Sequence, residues 1–183
     1  MATPVGHTLA GYLVYRLMPP RLKQSSSRVG LWGAIAIANL PDLDFLPGLL
    51  TGDAFAFHRR GSHTLIAAVL AGCLVAIGLR LARRWVPKTL QLSPSQMSQC
   101  GVWATAIYLV HLGLDFVMAD RIPPYGLQLL WPFTDAFLIS PVALIPGFQF
   151  EPILSWRNLL VVGVEILWLV PMIGVAGTVR KAP

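Results

Sequence analysis

Apolar residues fall into five stretches, each ended or broken by a small group of polar or turn-forming residues. The first covers residues 4–18, about four helical turns. The second, 31–40, is interrupted by Pro41-Asp42-Leu43-Asp44 and resumes as far as residue 50. The third, 64–79, is the cleanest and continues through Arg80 to Trp85. The fourth, 101–119, carries His111 and Asp115, and the fifth, 159–179, carries Glu165 and Pro171. Crossing the hydrocarbon core of a bilayer as a helix takes about 20 apolar residues. The last three stretches reach or approach that length, whereas the first two are short enough to be re-entrant or partly inserted. The pattern predicts an all-α fold: a polytopic transmembrane bundle of about five helical elements, three to five of them spanning, in a single domain over residues 1–183.

The connections differ in character. Residues 86–100 are rich in polar side chains (Lys88, Gln91, Ser93, Gln96, Gln99) and read as an exposed linker. Residues 120–158 hold six prolines (Pro123, Pro124, Pro132, Pro141, Pro146, Pro152). The aromatics Trp131, Phe133, Phe137, Phe148, Phe150 and Trp156 accompany them. Proline-broken, aromatic-rich sequence of this kind predicts a loop lying at the membrane interface. No internal repeat is visible.

Composition strengthens the membrane reading. Only 12% of the 183 residues are charged and 55% are hydrophobic, against roughly 25% charged in a soluble domain. The mean hydropathy is +0.64. These values exclude a disordered chain, a coiled coil and a nucleic-acid-binding tail. The net charge of +6 therefore points to topology and lipid phosphates, with no nucleic acid partner expected. With the five elements antiparallel, one side collects Arg16, Arg21, Lys23, Arg28, Arg80, Arg83, Arg84, Lys88, Arg180 and Lys181. The other side holds Arg59, Arg60, Arg121 and Arg157. The positive-inside rule makes the first side cytoplasmic, in a multi-pass protein of the inner or plasma membrane. The N-terminal stretch lacks a basic n-region and a cleavage site and does not read as a signal peptide. Cys73 and Cys100 suggest neither a disulfide framework nor a CxxC zinc site.

The scarce polar groups then carry the chemistry. The antiparallel arrangement brings His7, Asp42, Asp44, His58, His63, His111, Asp115 and Glu165 to one layer on the outward side. His111 and Asp115, at i and i+4, share a helix face and can supply two metal ligands, or simply hydrogen-bond to each other. Asp42 and Asp44 flank a helix break, where two close carboxylates repel unless a cation lies between them. One of them could instead cap the next helix. In His58-Arg-Arg-Gly-Ser-His63-Thr, Ser62 is the expected N-cap of the third helix. Arg59, Arg60 and the helix N-terminus can bind an anion, or the arginines can anchor lipid head groups. His7 taken alone carries little weight. Glu165 is costly in lipid unless it is paired or acts as a ligand. Asp53, Asp120, Asp135 and Glu151 read as solvated loop charges, with Asp135 an outer partner of the site. Mixed His and carboxylate donors suit zinc, manganese or iron, zinc best.

Gly6-His7, Leu40-Pro-Asp42-Leu-Asp44, His58-Arg-Arg-Gly-Ser-His63-Thr and His111-Leu-Gly-Leu-Asp115-Phe resemble, in this order, the bacterial membrane-bound metal-dependent hydrolases typified by YdjM. The resemblance covers roughly residues 3–170. That family's pattern is in turn similar to the zinc-dependent phospholipase C and single-strand nuclease group. The resemblance implies that His7, Asp42, His63, His111 and Asp115 are metal ligands, and that Asp44 and His58 are further ligands or support them; Glu165 is an additional candidate from its place within an apolar helix. Family members commonly show Thr-His-Ser where this chain has Ser62-His63-Thr64.

The expected activity is hydrolysis of a phosphoester, such as an anionic phospholipid head group in the bilayer, by a metal-activated water. Asp42, Asp44 or His58 would serve as base, and Arg59 and Arg60 would hold the anion. Two other readings stay open. One is a transporter or proton-coupled carrier using the His/Asp/Glu cluster as a relay. The other is a non-enzymatic membrane protein with a structural metal.

Overall fold

The computed structural model describes residues 1–23, 27–53, 55–88, 91–119, 123, 125–149 and 152–179. Seven α-helices follow one another among these residues: α1 Pro4–Leu17, α2 Pro20–Lys23, α3 Ser27–Asn39, α4 Phe45–Thr51, α5 Leu65–Ala82, α6 Pro94–Phe116 and α7 Trp156–Val179. Short 3-10 turns at Pro41–Asp44, Gly61–His63 and Arg83–Trp85 join or extend them. The described residues form no strand, only two isolated bridges, Met118 with Ile145 and Leu127 with Leu138. The all-helical expectation therefore holds.

Among the described residues, two helices are long and apolar enough to cross a membrane, Leu65–Trp85 and Trp156–Thr178. A third span results if the bent pair Arg28–Asn39 and Pro41–Thr51, which turns by 48°, counts as one. Two spans fall below the expected three to five, and the three-span count meets only its low end. Helix α6 is long enough at 23 residues, but its first turns carry Ser95, Gln96, Ser98 and Gln99. Those turns correct the reading of residues 86–100 as linker. Ser93 and Gln96 form a capping box, with Pro94 at the first helical position, so the helix starts well before its apolar stretch.

The chain runs up and down. Helices α3 and α6 rise toward the ends of the molecule at which α1, α5 and α7 begin. Helices α1 and α7 are parallel, since Thr3 meets Glu165 and a β-carbon on Gly177 would meet the Arg16 guanidinium. The most extensive packing joins α5 and α6. Gly72 and Gly101 face each other there, and a β-carbon on Gly101 would come within 2.6 Å of the Gly72 carbonyl oxygen. Ala68, Ala71, Ala76 and Ala104 complete a seam of small buried residues. Such residues let helix backbones approach closely where lipid removes any hydrophobic drive to associate.

Most of the described bases gather at one end of the bundle. Arg21 donates to Gln99, Arg80 to Ser98, Arg83 to Gln91 and Lys23 to the Arg16 carbonyl. Arg121, Arg180 and Lys181 of the charge count lie outside the described residues, as do Pro124, Phe150, Asp120 and Glu151. The loop after α6 folds over the opposite end. Leu65 N–H donates to the Leu129 carbonyl at 2.9 Å, and Leu127 and Gln128 are buried. This segment packs against the protein as well as lying at its surface.

Candidate metal centre

All four histidines and three of the carboxylates meet at the end capped by that loop. His7 comes from the first turn of α1, Asp42 and Asp44 from the break after α3, His58 and His63 from the segment before α5, and His111 and Asp115 from α6. His7, His63 and His111 are 0% exposed. The Asp115 side chain is 1% exposed and that of Asp42 is 14% exposed, so the cluster opens to the outside at Asp42.

The central distances are informative because they are longer than ordinary hydrogen bonds. Asp115 lies 3.4 Å from His7 Nε2, 3.5 Å from His63 Nε2 and 3.6 Å from His111 Nε2. Asp42 lies 3.6 Å from His7, 3.6 Å from His63 and 3.7 Å from His111, each through Nε2. The Nε2 atoms of His63 and His111 are 3.3 Å apart. The imidazoles of His7 and His111 stack at 3.7 Å. Both ring nitrogens of His7, both oxygens of Asp42 and one of Asp115 are buried without a hydrogen-bond partner among the described residues. Burying polar groups unsatisfied costs free energy, and two close carboxylates add repulsion. A divalent cation relieves both. Zinc bonds of about 2.0–2.2 Å set neighbouring tetrahedral donors roughly 3.3–3.6 Å apart, the spacing seen here. His7, Asp42, His111 and Asp115 can share one ion, and Asp42, His58 and His63 form an adjoining group. The donors fit a metal.

The surrounding hydrogen bonds aim these rings. His111 Nδ1 donates to the Ala38 carbonyl at 2.7 Å, and since a carbonyl only accepts, Nε2 is left as the lone-pair nitrogen facing the cluster. His63 repeats the arrangement with a carboxylate, its Nδ1 lying 3.1 Å from Asp44 Oδ2. His58 Nδ1 lies 2.8 Å from Asp44 Oδ1. Asp44 also accepts from Ser62 Oγ at 2.6 Å and from the Arg59 N–H at 3.2 Å. With four donors on two oxygens, Asp44 orients its neighbours. A carboxylate behind a histidine fixes its tautomer and raises its basicity toward a metal. Burial disfavours a charged His63, but its contacts with Asp115, Asp42 and Asp44 outweigh this and hold it well above the ordinary histidine range. For His58 burial wins over the Asp44 hydrogen bond, and its value is lowered.

Several individual expectations need correction. Ser62 does not cap α5. Thr64 does, in extended conformation, with its side chain accepting from the Ala67 N–H, while the Ser62 hydroxyl serves Asp44. Arg59 and Arg60 do not form a matched pair. Arg59 is buried, with a left-handed backbone (φ 65°) that turns its N–H to Asp44, and Arg60 is exposed. Asp135 is exposed and touches the rest of the fold through its carbonyl, which accepts from Gln128. Glu165 is fully buried beside the cluster but outside the donor group. It accepts from the Thr3 N–H at 2.7 Å and from the Thr3 hydroxyl. His7, weak as an isolated signal, is central. The backbone partners, the Ala38 carbonyl and the Ala2 N–H that donates to Asp115 at 2.5 Å, had no signal in the sequence, because backbone groups carry no side-chain signature.

Fold and site together define a helical membrane protein with a buried histidine–aspartate cluster from four separate segments. The chain belongs to the YdjM inner membrane protein family, whose model matches residues 1–182. No curated protein and no solved structure matches it.

Proposed function

We propose that this protein is a membrane-embedded, metal-dependent hydrolase acting on a phosphoester, such as the head group of an anionic phospholipid. The carrying observation is the set of orphaned donors of His7, Asp42 and Asp115 at ligand spacing from His63 and His111. His7, Asp42, His63, His111 and Asp115 would hold the ion. A bound divalent ion, zinc in this reading, supplies acidity that makes water nucleophilic near neutral pH and polarises a phosphoryl oxygen.

The chain's own groups divide the remaining work. Asp42 is the ligand at the opening, so substrate meets the site beside it. His58 has its Nδ1 on Asp44 and its Nε2 without a hydrogen-bond partner, the disposition of a general base. Asp44 holds His58 and His63 in register and is not itself the base. Arg60, exposed at the same end, is the group that would meet an anionic substrate. The one-sided distribution of bases supports a site on the non-cytoplasmic face of the inner membrane.

Metal analysis of detergent-purified protein, with and without His111→Ala, tests the reading together with a screen on phospholipids and small phosphoesters. About one ion per chain, lost in the variant, with turnover abolished by chelation, is the expected result. Protein without stoichiometric metal overturns the proposal. Metal without turnover of any phosphoester moves the reading to a structural metal.

A further inference from the structure

A second cavity lies at the other end of the bundle, and its chemistry is unlike that of the metal cluster. Helices α3 and α5 both pack on α6 but hardly touch each other. The gap between them is a cavity of about 520 Å³, within the size range of small-molecule sites. Its walls are apolar: Gly33 and Ile37 on α3, Val75 and Leu79 on α5, and Ile107 on α6 as floor. Its rim is polar and basic, with Arg83 and Gln91. Gln91 accepts from Arg83 Nε at 3.0 Å and donates to the Arg83 and Val86 carbonyls. The guanidinium is thereby fixed along one edge, leaving its terminal nitrogens for a bidentate anion.

Charge at this end is one-sided. Arg80 and Arg84 flank Arg83, and no Asp or Glu among the described residues lies at this end of the bundle. An apolar slot with an anchored arginine at its mouth matches one molecular class found in a bilayer, a lipid with an anionic head and a hydrocarbon tail. The slot ends one helical turn short of the metal cluster, since Ile107 precedes His111 by four residues and Ala104 lines the level below. A tail seated there would pack under the cluster with its head at the opposite membrane face.

We propose that the α3–α5 groove binds one acyl chain of an anionic phospholipid, with the phosphate on Arg83. This site is separate from the metal centre and does not depend on the hydrolase reading. Gly33 offers a direct probe, because a β-carbon there meets nothing within 4 Å. Gly33→Leu therefore starts its side chain in open space and extends it into the groove.

The test is native mass spectrometry of the full chain, purified in detergent and exchanged into vesicles of phosphatidylglycerol or phosphatidylcholine. Wild-type protein should keep about one phosphatidylglycerol per chain in preference to phosphatidylcholine, a roughly tenfold difference. Gly33→Leu should lower retention by roughly tenfold, and Val75→Phe should do the same from the opposite wall. Arg83→Gln should keep the lipid but erase the head-group preference. Metal content should stay at the wild-type level in all three, which separates this site from the metal centre. Equal retention of both lipids by wild type overturns the proposal. So does unchanged retention in folded Gly33→Leu and Val75→Phe, or a wild-type dimer that those two substitutions dissociate.

Discussion

The Glu165 carboxylate occupies the space that a side chain on Gly6 would need: a β-carbon on Gly6 would lie 2.5 Å from Glu165 Cδ. A residue of α7 thus closes on the first turn of α1, one position before His7. Glu165 takes the Thr3 N–H and hydroxyl, and Thr3 is the N-cap of α1. A negative group at a helix N-terminus is favourable, so this contact offsets the burial of Glu165 and sets the height of His7.

Gly6→Ala should therefore weaken metal binding although it adds only one methyl group. Overpacking of this kind costs about 1–3 kcal/mol. Glu165→Ala should destabilise by a similar amount, since it leaves the Thr3 N–H and hydroxyl unsatisfied. Thermal unfolding and metal stoichiometry measured side by side check this. A Gly6→Ala protein with wild-type metal content would show that α1 can shift without moving His7.

Substitutions around the cluster should fall into two grades. His111→Ala and Asp115→Ala remove donors and should abolish stoichiometric metal. Asp44→Asn removes only the group behind His63 and His58, and should lower metal affinity by roughly 10–100-fold. Competition with a metal indicator measures both. Equal loss in all three would make Asp44 a direct ligand.

His58→Gln separates catalysis from metal holding. The ring lies at the edge of the cluster, bound to Asp44 and stacked on Phe45 at 4.0 Å. On the hydrolase reading, turnover should fall by roughly 100-fold or more while metal content stays. Loss of the metal along with activity would assign His58 to the adjoining ligand group.

Protons and metal should compete for His63. Its value in the metal-free protein is raised above the ordinary 6.5. A group raised on folding contributes stability that is complete below its unfolded value and is lost as pH rises through the folded one. The metal-free protein should therefore lose stability as pH rises above about 6.5. Metal affinity should rise over the same window, because ligands must be deprotonated. The difference in Tm between metal-loaded and chelator-treated protein should widen from about pH 6 to about pH 9. A flat or narrowing difference would remove His63 from the ligand set.

Much of the architecture was legible from local rules. The five apolar stretches match α1, α3, α5, α6 and α7, and Pro41 marks the bend because proline removes a helical N–H. The short helix Pro20–Lys23 was missed, having no apolar period of its own. The true start of α6 was written in Ser93-Pro94-Ser95-Gln96, a capping signal masked by the polar tone of its surroundings.

The sequence by itself determined the helical class, the membrane setting and the candidate donors, because apolar run length and the cost of ionisable groups in lipid are properties of the chain alone. It also placed those donors at one end, since antiparallel helices of similar length bring alternate connections together. Only the tertiary structure decided which donors face one another and which support them. Asp42 and Asp44 are two residues apart, yet one lies with the cluster and the other holds the rings behind it. Glu165, another acid within an apolar helix, instead accepts from Thr3, the N-cap of α1. Those roles depend on distances of a few ångströms across helix contacts, set by Gly6 against Glu165 and by Gly72 against Gly101. No pattern along a single helix encodes them.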